Sequence, residues 1–165
     1  MSAKFRKSQF RRPDWDYRNE GAYFITICTN NRFHFFGEIK DRQMNLSAIG
    51  EIAKACWEEI EVHFPNVRLG EFVFMPDHMH GIIVIDKSLS SVKVPLLKEN
   101  RFQQIGKQSI SSIVGSFKSA VSRKSHEISP AFAWQPRFHD RVIRSSMEFD
   151  RIENYISKNV ENYHL

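Results

Sequence analysis

Two β-rich runs, Val67 to Met75 and His78 to Ile85, meet across a Pro76-Asp77 break, and this join constrains the fold more than any other stretch. A two-residue link leaves no room for a crossover, so the runs must lie as antiparallel neighbours. The second run opens His-Met-His. Side chains at i and i+2 share one face of a strand, roughly 7 Å apart. His78 and His80 therefore look out together, while Met79 points into the other face. Two imidazoles on one rigid face can grip a metal ion and leave positions open for substrate. The pattern also suits two half-exposed strand histidines without a ligand, and the metal reading needs a third donor from elsewhere in the chain.

The rest of the chain supplies a frame for this hairpin. Tyr23 to Thr29 is rich in β-branched and aromatic residues and apolar on both faces, the mark of a central strand. A short hairpin is expected from Phe33 to Ile39. Ile49, Ile52, Ala53, Cys56, Trp57 and Ile60 recur at helical spacing and predict a helix over 46–63, capped by Asn45 or Ser47. Its other face is acidic through Glu51, Glu58, Glu59 and Glu61. Residues 86–109 read as a long polar loop. A second helix is expected over 110–126, with Ile110, Ile113, Val114, Phe117 and Val121 on one face, and Gly115 within it suggests close backbone packing. Phe132 to Ile143 reads as a last strand or broken hairpin, with Pro136 arguing for an edge or bulge. Ser145 and Glu148 form a capping-box pattern before a final helix whose stripe is Phe149, Ile152, Ile156, Val160 and Tyr163.

The order β-α-β-β-α-β followed by a helix predicts an α+β, ferredoxin-like (split βαβ, RRM-like) fold: a four-stranded antiparallel sheet, helices on one face, and the terminal helix free to cross the other. The 165 residues read as a single domain, 1–165, with residues 1–20 as a basic N-terminal arm. No run approaches the roughly 18 apolar residues of a membrane helix, and the start is basic rather than signal-like. A cytoplasmic protein without a membrane partner is expected, with Cys28 and Cys56 reduced and buried.

Charge is polarised along the chain. Residues 1–18 carry six Lys/Arg against two Asp, and residues 87–126 carry eight against one Glu. Such clustering suits a polyanion, nucleic acid first, and also an ordinary solvated surface. Arg11 and Arg12 of the arm, with Lys118, Arg123 and Arg137, are the candidate phosphate contacts.

If the last helix lies over the histidine face, it brings a third donor. Asn159 offers an amide oxygen, and Tyr155 offers a phenol one turn earlier on the same side. His78, His80 and Asn159 could then hold one ion, with Tyr155 placed to attack a bound phosphate. Two neutral imidazoles and a neutral amide leave the ionic charge available for phosphate, which suits Mg²⁺ or Mn²⁺.

The segments MPDHMHGIIV, WQPRFHDRVIR and ENYISKN resemble those of the small single-tyrosine transposases of the His-hydrophobe-His nuclease superfamily, closest to the REP-associated tyrosine transposases. The resemblance runs from YFITICTNNR through the terminal helix. It implies the same ferredoxin-like fold, with His78, His80 and Asn159 as divalent-metal ligands and Tyr155 as nucleophile. It further implies a catalytic terminal helix that cuts single-stranded or hairpin DNA through a 5′-phosphotyrosine, leaving a free 3′-OH, in a monomer or a homodimer. The chain departs from the family pattern at Val160, where proline commonly stands, and at His139, where an aromatic residue is common.

Rival readings remain at this stage. A sheet of this kind can hold RNA or single-stranded DNA without cutting it, using exposed aromatics on central strands. Histidines stand there instead, but a catalytically silent relative would look alike. A zinc hydrolase is disfavoured, because barrel hydrolases need about 250 residues. Tyr163 is a second phenol on the apolar stripe, His139 could approach from the last strand, and Asp77 at its turn could bind metal or satisfy backbone groups.

Overall fold

Along β1 (Gly21–Cys28), Tyr23, Ile25 and Ile27 alternate with Phe24, Thr26 and Cys28, and each set meets a different layer of the molecule. The computed structural model describes residues 20–86, 88 and 109–163. The N-terminal arm with Arg11 and Arg12, and nearly all of the expected loop over 86–109, lie outside the described residues.

The element order is β1, β2 (Gly37–Lys40), β3 (Gln43–Leu46), α1 (Ala48–Glu58), α2 (Ile60–His63), β4 (Val67–Met75), β5 (His78–Ile85), α3 (Ile110–Ser125), β6 (His139–Ile143) and α4 (Ser146–Ser157). The main sheet is antiparallel in the order β4-β5-β1-β6, which puts β1 and the His-Met-His strand at its centre. This is the split βαβ arrangement, with β2 and β3 inserted as a hairpin ahead of α1. Met75 pairs with His78, so Pro76 and Asp77 are the two-residue link that the sequence requires. No helix among the described residues is long and apolar enough to cross a membrane.

One sheet face carries the main core. Tyr23, Ile25, Ile27, Met79, Ile83 and Ile85 pack there against Ile49, Ala53, Cys56, Trp57 and Ile60 of the α1–α2 pair, and Ile113, Val114, Phe117 and Val121 of α3. Each buried Ile, Val or Phe removes enough apolar surface to contribute about 1.5–3 kcal/mol. The opposite face carries a smaller core of Phe24, Ile82 and Ile143 under Ile152 and Ile156 of α4. The terminal helix thus lies over the sheet face that the histidines share.

Several local expectations are corrected. The hairpin falls at 37–46 rather than 33–39, and its Asp41-Arg42 turn has φ of 51° and 58°, the twist a two-residue hairpin needs. The helix over 46–63 is two helices, with Ser47 as the N-cap accepting from Gly50 N and a break at Glu59. Phe132 to Phe138 is not a strand. Only Trp134 bridges to Thr29, and the path past Pro136, which has no N–H to donate, turns at Arg137 with φ 69° before β6 begins. Gly115 is exposed, and a Cβ there would meet nothing within 4 Å, so it marks no close approach. One close approach within the main sheet is at Gly81, where a Cβ would stand 2.4 Å from the Trp57 ring.

The capping box of α4 is half made. Ser145 Oγ accepts from Glu148 N at 3.1 Å, but the Glu148 carboxylate accepts from Arg144 N and from the Arg141 guanidinium instead. That pairing ties the helix start to β6. At the other end α4 stops at Ser157, two residues before Asn159. The Ser157 hydroxyl bonds back to Asn154 O, and Asn159 and Val160 that follow have low helix propensity. Val160 and Tyr163 therefore leave the helical stripe and sit half-buried in the turns beyond it.

Candidate active site

Strand register builds the site before any side-chain detail. Val73, His80, Thr26 and His139 form one cross-sheet row, and Met75, His78 and Cys28 form the next. Partners in register project to the same face, so the histidines stand on the α4 side with Thr26, Cys28 and His139. Gly81, one residue after the pair, points the other way and leaves space for Trp57.

His78 and His80 sit with ring centroids 4.8 Å apart at 74°. They are not outward-looking side chains: His80 is 8% exposed, and Phe24 stacks on it at 5.3 Å and 26°. Tyr155 reaches in from α4 with its ring centroid 5.5 Å from that of His80 and its Oη 3.5 Å from His80 Nε2. Phe24 touches the tyrosine ring edge-on at 6.1 Å. Tyr155 itself is 51% exposed, so the phenol is held at one end and open to solvent along much of its ring. An open, fixed phenol beside a histidine is what an incoming phosphate would meet.

On each ring the nitrogen nearer the backbone is already occupied by the protein. His78 Nδ1 lies 2.6 Å from Asp77 Oδ1, and His80 Nδ1 lies 2.8 Å from Thr26 Oγ1. His78 Nε2 is therefore the position left for a ligand, while His80 Nε2 already faces the Tyr155 hydroxyl; an unprotonated Nε2 is the donor a divalent ion takes from neutral imidazole. Burial first, then the charges of His78 and Arg32, pull the His80 imidazole down to about 3, so it stays neutral with its lone pair available. Among the described residues no three His, Cys, Asp or Glu side chains are grouped to hold a metal. There the histidine pair would need a donor of another kind, such as an amide.

Arg32 is the partner that sequence reasoning missed, and Asp77, read from sequence as a metal or turn residue, is the group it binds. Arg32 Nε donates to Asp77 Oδ2 at 2.7 Å, and Nη1 donates to the Cys28 sulfur at 3.0 Å. Asp77 spends its carboxylate on Arg32 and His78, not on the backbone groups of its turn. Burial works to raise that carboxyl, but the hydrogen bonds from His78 and Arg32 outweigh it and hold the group at about 2. Burial pushes the Cys28 thiol up against the Arg32 charge, so it stays protonated. His139, at the edge of the site, is lowered by burial and then by Arg32. Alternation puts Phe24, Thr26 and Cys28 on one face of β1, and the register with β5 makes it the histidine face. Nothing local marked Arg32, which reaches the site only because the loop after β1 folds back onto Asp77.

The other candidate residues are spread out. Asn159 lies in the turn after α4, half-buried, and none of the described hydrogen bonds joins its amide to either histidine. Lys118 is held by the loop before β6: its Nζ donates to Gln135 O and Arg137 O, both at 3.1 Å. Its backbone carbonyl in turn accepts from Trp134 Nε1. Arg137 is exposed on that loop. Arg123 is exposed on α3, on the side of the sheet opposite the histidines.

No family model matches the chain. An uncharacterised protein of Haemophilus influenzae is 40% identical over 157 residues, spanning 93% of this chain and 87% of that one. Among solved structures, a REP-associated tyrosine transposase bound to a REP hairpin superposes with a TM-score of 0.59 at 20% identity, over 92% of this chain and 72% of its own. A candidate transposase from Deinococcus radiodurans R1 gives a TM-score of 0.50 at 15% identity, over 90% and 95%. The protein belongs to one family with the Haemophilus influenzae protein, and its fold is that of the REP-associated tyrosine transposase.

Proposed function

We propose that the protein is a metal-dependent, single-stranded DNA endonuclease and strand transferase of the transposase type, acting at hairpin-containing DNA in the cytoplasm. The observation that carries this reading is the Tyr155 hydroxyl 3.5 Å from His80 Nε2, on a helix laid across the sheet face that both histidines share. The likeness of fold to a transposase bound to a hairpin supports the choice of DNA as substrate. His78 and His80, with Asn159 as third donor, would hold Mg²⁺ or Mn²⁺, which when bound neutralises phosphate charge and stabilises the leaving oxygen.

The chain's own residues supply the rest. Tyr155 Oη attacks the scissile phosphorus and gives its proton to solvent water. The bond to the 3′ oxygen breaks, and that oxygen leaves as a 3′-OH after taking a proton from water. The phosphorus remains joined to Tyr155 as a 5′-phosphotyrosine, a diester that keeps the backbone bond energy for rejoining. Phe24 and the β1–β5 pairing hold His80 against the phenol, which limits the motion needed before attack. Arg137, the Lys118-held loop that carries it, Arg123 and the basic arm with Arg11 and Arg12 are the proposed phosphate contacts. They would position DNA rather than cut it.

The test is a labelled hairpin with a single-stranded flank, incubated with the protein and Mg²⁺ or Mn²⁺ and run on a denaturing gel. A covalent protein–DNA adduct is expected, mapping to Tyr155 and absent in Tyr155→Phe, which keeps the ring and loses only the attacking oxygen. An adduct that persists and maps to Tyr163 would overturn the residue assignment. Tight binding with no adduct on any single-stranded substrate would identify a DNA-holding module instead.

A further inference from the structure

The His-Met-His strand begins immediately after its turn, and the turn residue is built into the site. The backbone around Asp77 is fixed from two sides: Thr29 N donates to Asp77 O at 2.9 Å, and Phe36 N donates to Pro76 O at 3.0 Å. Its carboxylate is then split between two partners. Oδ2 accepts from Arg32 Nε at 2.7 Å, and Oδ1 lies 2.6 Å from His78 Nδ1. Arg32 takes this position with a left-handed backbone, φ 58°, a conformation that is strained for a non-glycine residue and persists only where surrounding contacts offset it. Its three contacts, to Asp77, Cys28 and the neighbourhood of His78, are those holding contacts.

A carboxylate paired with a guanidinium is an acceptor only. The hydrogen between Asp77 Oδ1 and His78 Nδ1 must therefore sit on the nitrogen. A nitrogen that donates has no lone pair for Arg32 Nη2, 3.4 Å away, so the 2.6 Å contact decides the tautomer. We infer that Asp77, braced by Arg32, is a positioning residue that fixes His78 as its Nδ1–H tautomer and turns the bare Nε2 toward the ligand side of the site. His80 has a hydroxyl at the same place, Thr26 Oγ1, which can donate or accept and so leaves its tautomer adjustable. The two histidines are thus unequal: one is locked by an ion pair, the other is matched to the tyrosine.

This inference rests on the metal-binding reading of the pair, but its first readout does not. Long-range ¹H–¹⁵N correlation spectra of the metal-free protein at neutral pH separate the two tautomers of each histidine. The wild type should show His78 as Nδ1–H. Asp77→Ala should move it toward the Nε2–H form that free imidazoles favour in water. Asp77→Asn keeps a carbonyl oxygen in place and should restore the Nδ1–H form, which also covers the case in which Asp77→Ala fails to fold. Mn²⁺ affinity, followed by electron paramagnetic resonance on the free protein, should fall about 10- to 100-fold in Asp77→Ala, the usual effect of losing a histidine's outer partner. A wild-type His78 in the Nε2–H form, or an unchanged tautomer in a folded Asp77→Ala protein, would overturn the assignment. If the tautomer follows Asp77 but no DNA adduct forms in the wild type, the positioning role stands and the tyrosine reading fails.

Discussion

At the scale of single residues, two glycines make opposite demands that the sequence alone presents alike. Gly81 faces the Trp57 ring, and an added methyl would stand 2.4 Å from it. Gly81→Ala should therefore cost about 1–3 kcal/mol, read as a lower midpoint in urea unfolding. Gly115 lies on an exposed turn of α3 with open space around it. Gly115→Ala should raise stability by about 0.5–1 kcal/mol in the same experiment, because glycine loses more backbone freedom on entering a helix. His80 also needs a revised expectation. It is buried and stacked on Phe24, so His80→Ala should lower stability by on the order of 1–3 kcal/mol as well as removing a proposed ligand nitrogen. Its effect on cleavage is interpretable only beside a folding measurement, whereas Tyr155→Phe carries no such burden.

At the scale of elements, α4 is held by a small core and by a polar tether at its start. Ile156 is fully buried in that core, and Glu148 fastens the helix start to Arg141 and Arg144 N. Ile156→Ala should cost about 2–5 kcal/mol if the sheet and helix unfold together. Because α4 shares little with the main core, the loss should fall first on local opening. Amide exchange should rise along 146–157 while β1 and β5 keep their protection. Uniform loss of protection would show that the two cores form one cooperative unit. The elements most legible in the sequence were those with strict periods: β1, β4, β5, α3 and the buried faces of α1 and α4. Alternation along β5 also put His78 and His80 on one face, whereas the register that adds Phe24 and Thr26 to it came from the structure. The end of α4 was not legible, since the stripe through Val160 and Tyr163 continues past the point where Ser157 turns its hydroxyl back on the helix. Nor was the Asp41-Arg42 turn, which takes left-handed backbone without the glycine or asparagine that usually announces it. Arg32 could not be found by period at all, because its role depends on a contact 45 residues away.

At the scale of the whole molecule, pH links the site to stability. The His80 imidazole titrates at about 3 when folded, below its usual 6.5, so the unfolded chain binds more protons between these values. Stability should fall as pH drops from about 6.5 toward 3, by at most about 1.4 kcal/mol per pH unit from this group. Asp77, lowered from 3.8 to about 2, adds a loss in the same direction below about pH 4. Urea midpoints of the metal-free protein between pH 7 and 4 should therefore decline. A flat profile would show that His80 is protonated without penalty and that its burial is less complete. The unequal sheet faces bear on something else: how a lineage of such chains can drift. Packing fixes the broad face residue against residue, so a change there has to be matched by its neighbours. On the narrow face the proposed reaction would depend on one oxygen, and Tyr155→Phe would remove it while ring, histidines and basic surface all stay. A descendant that cuts and a descendant that only holds would share the same architecture and differ by a single atom.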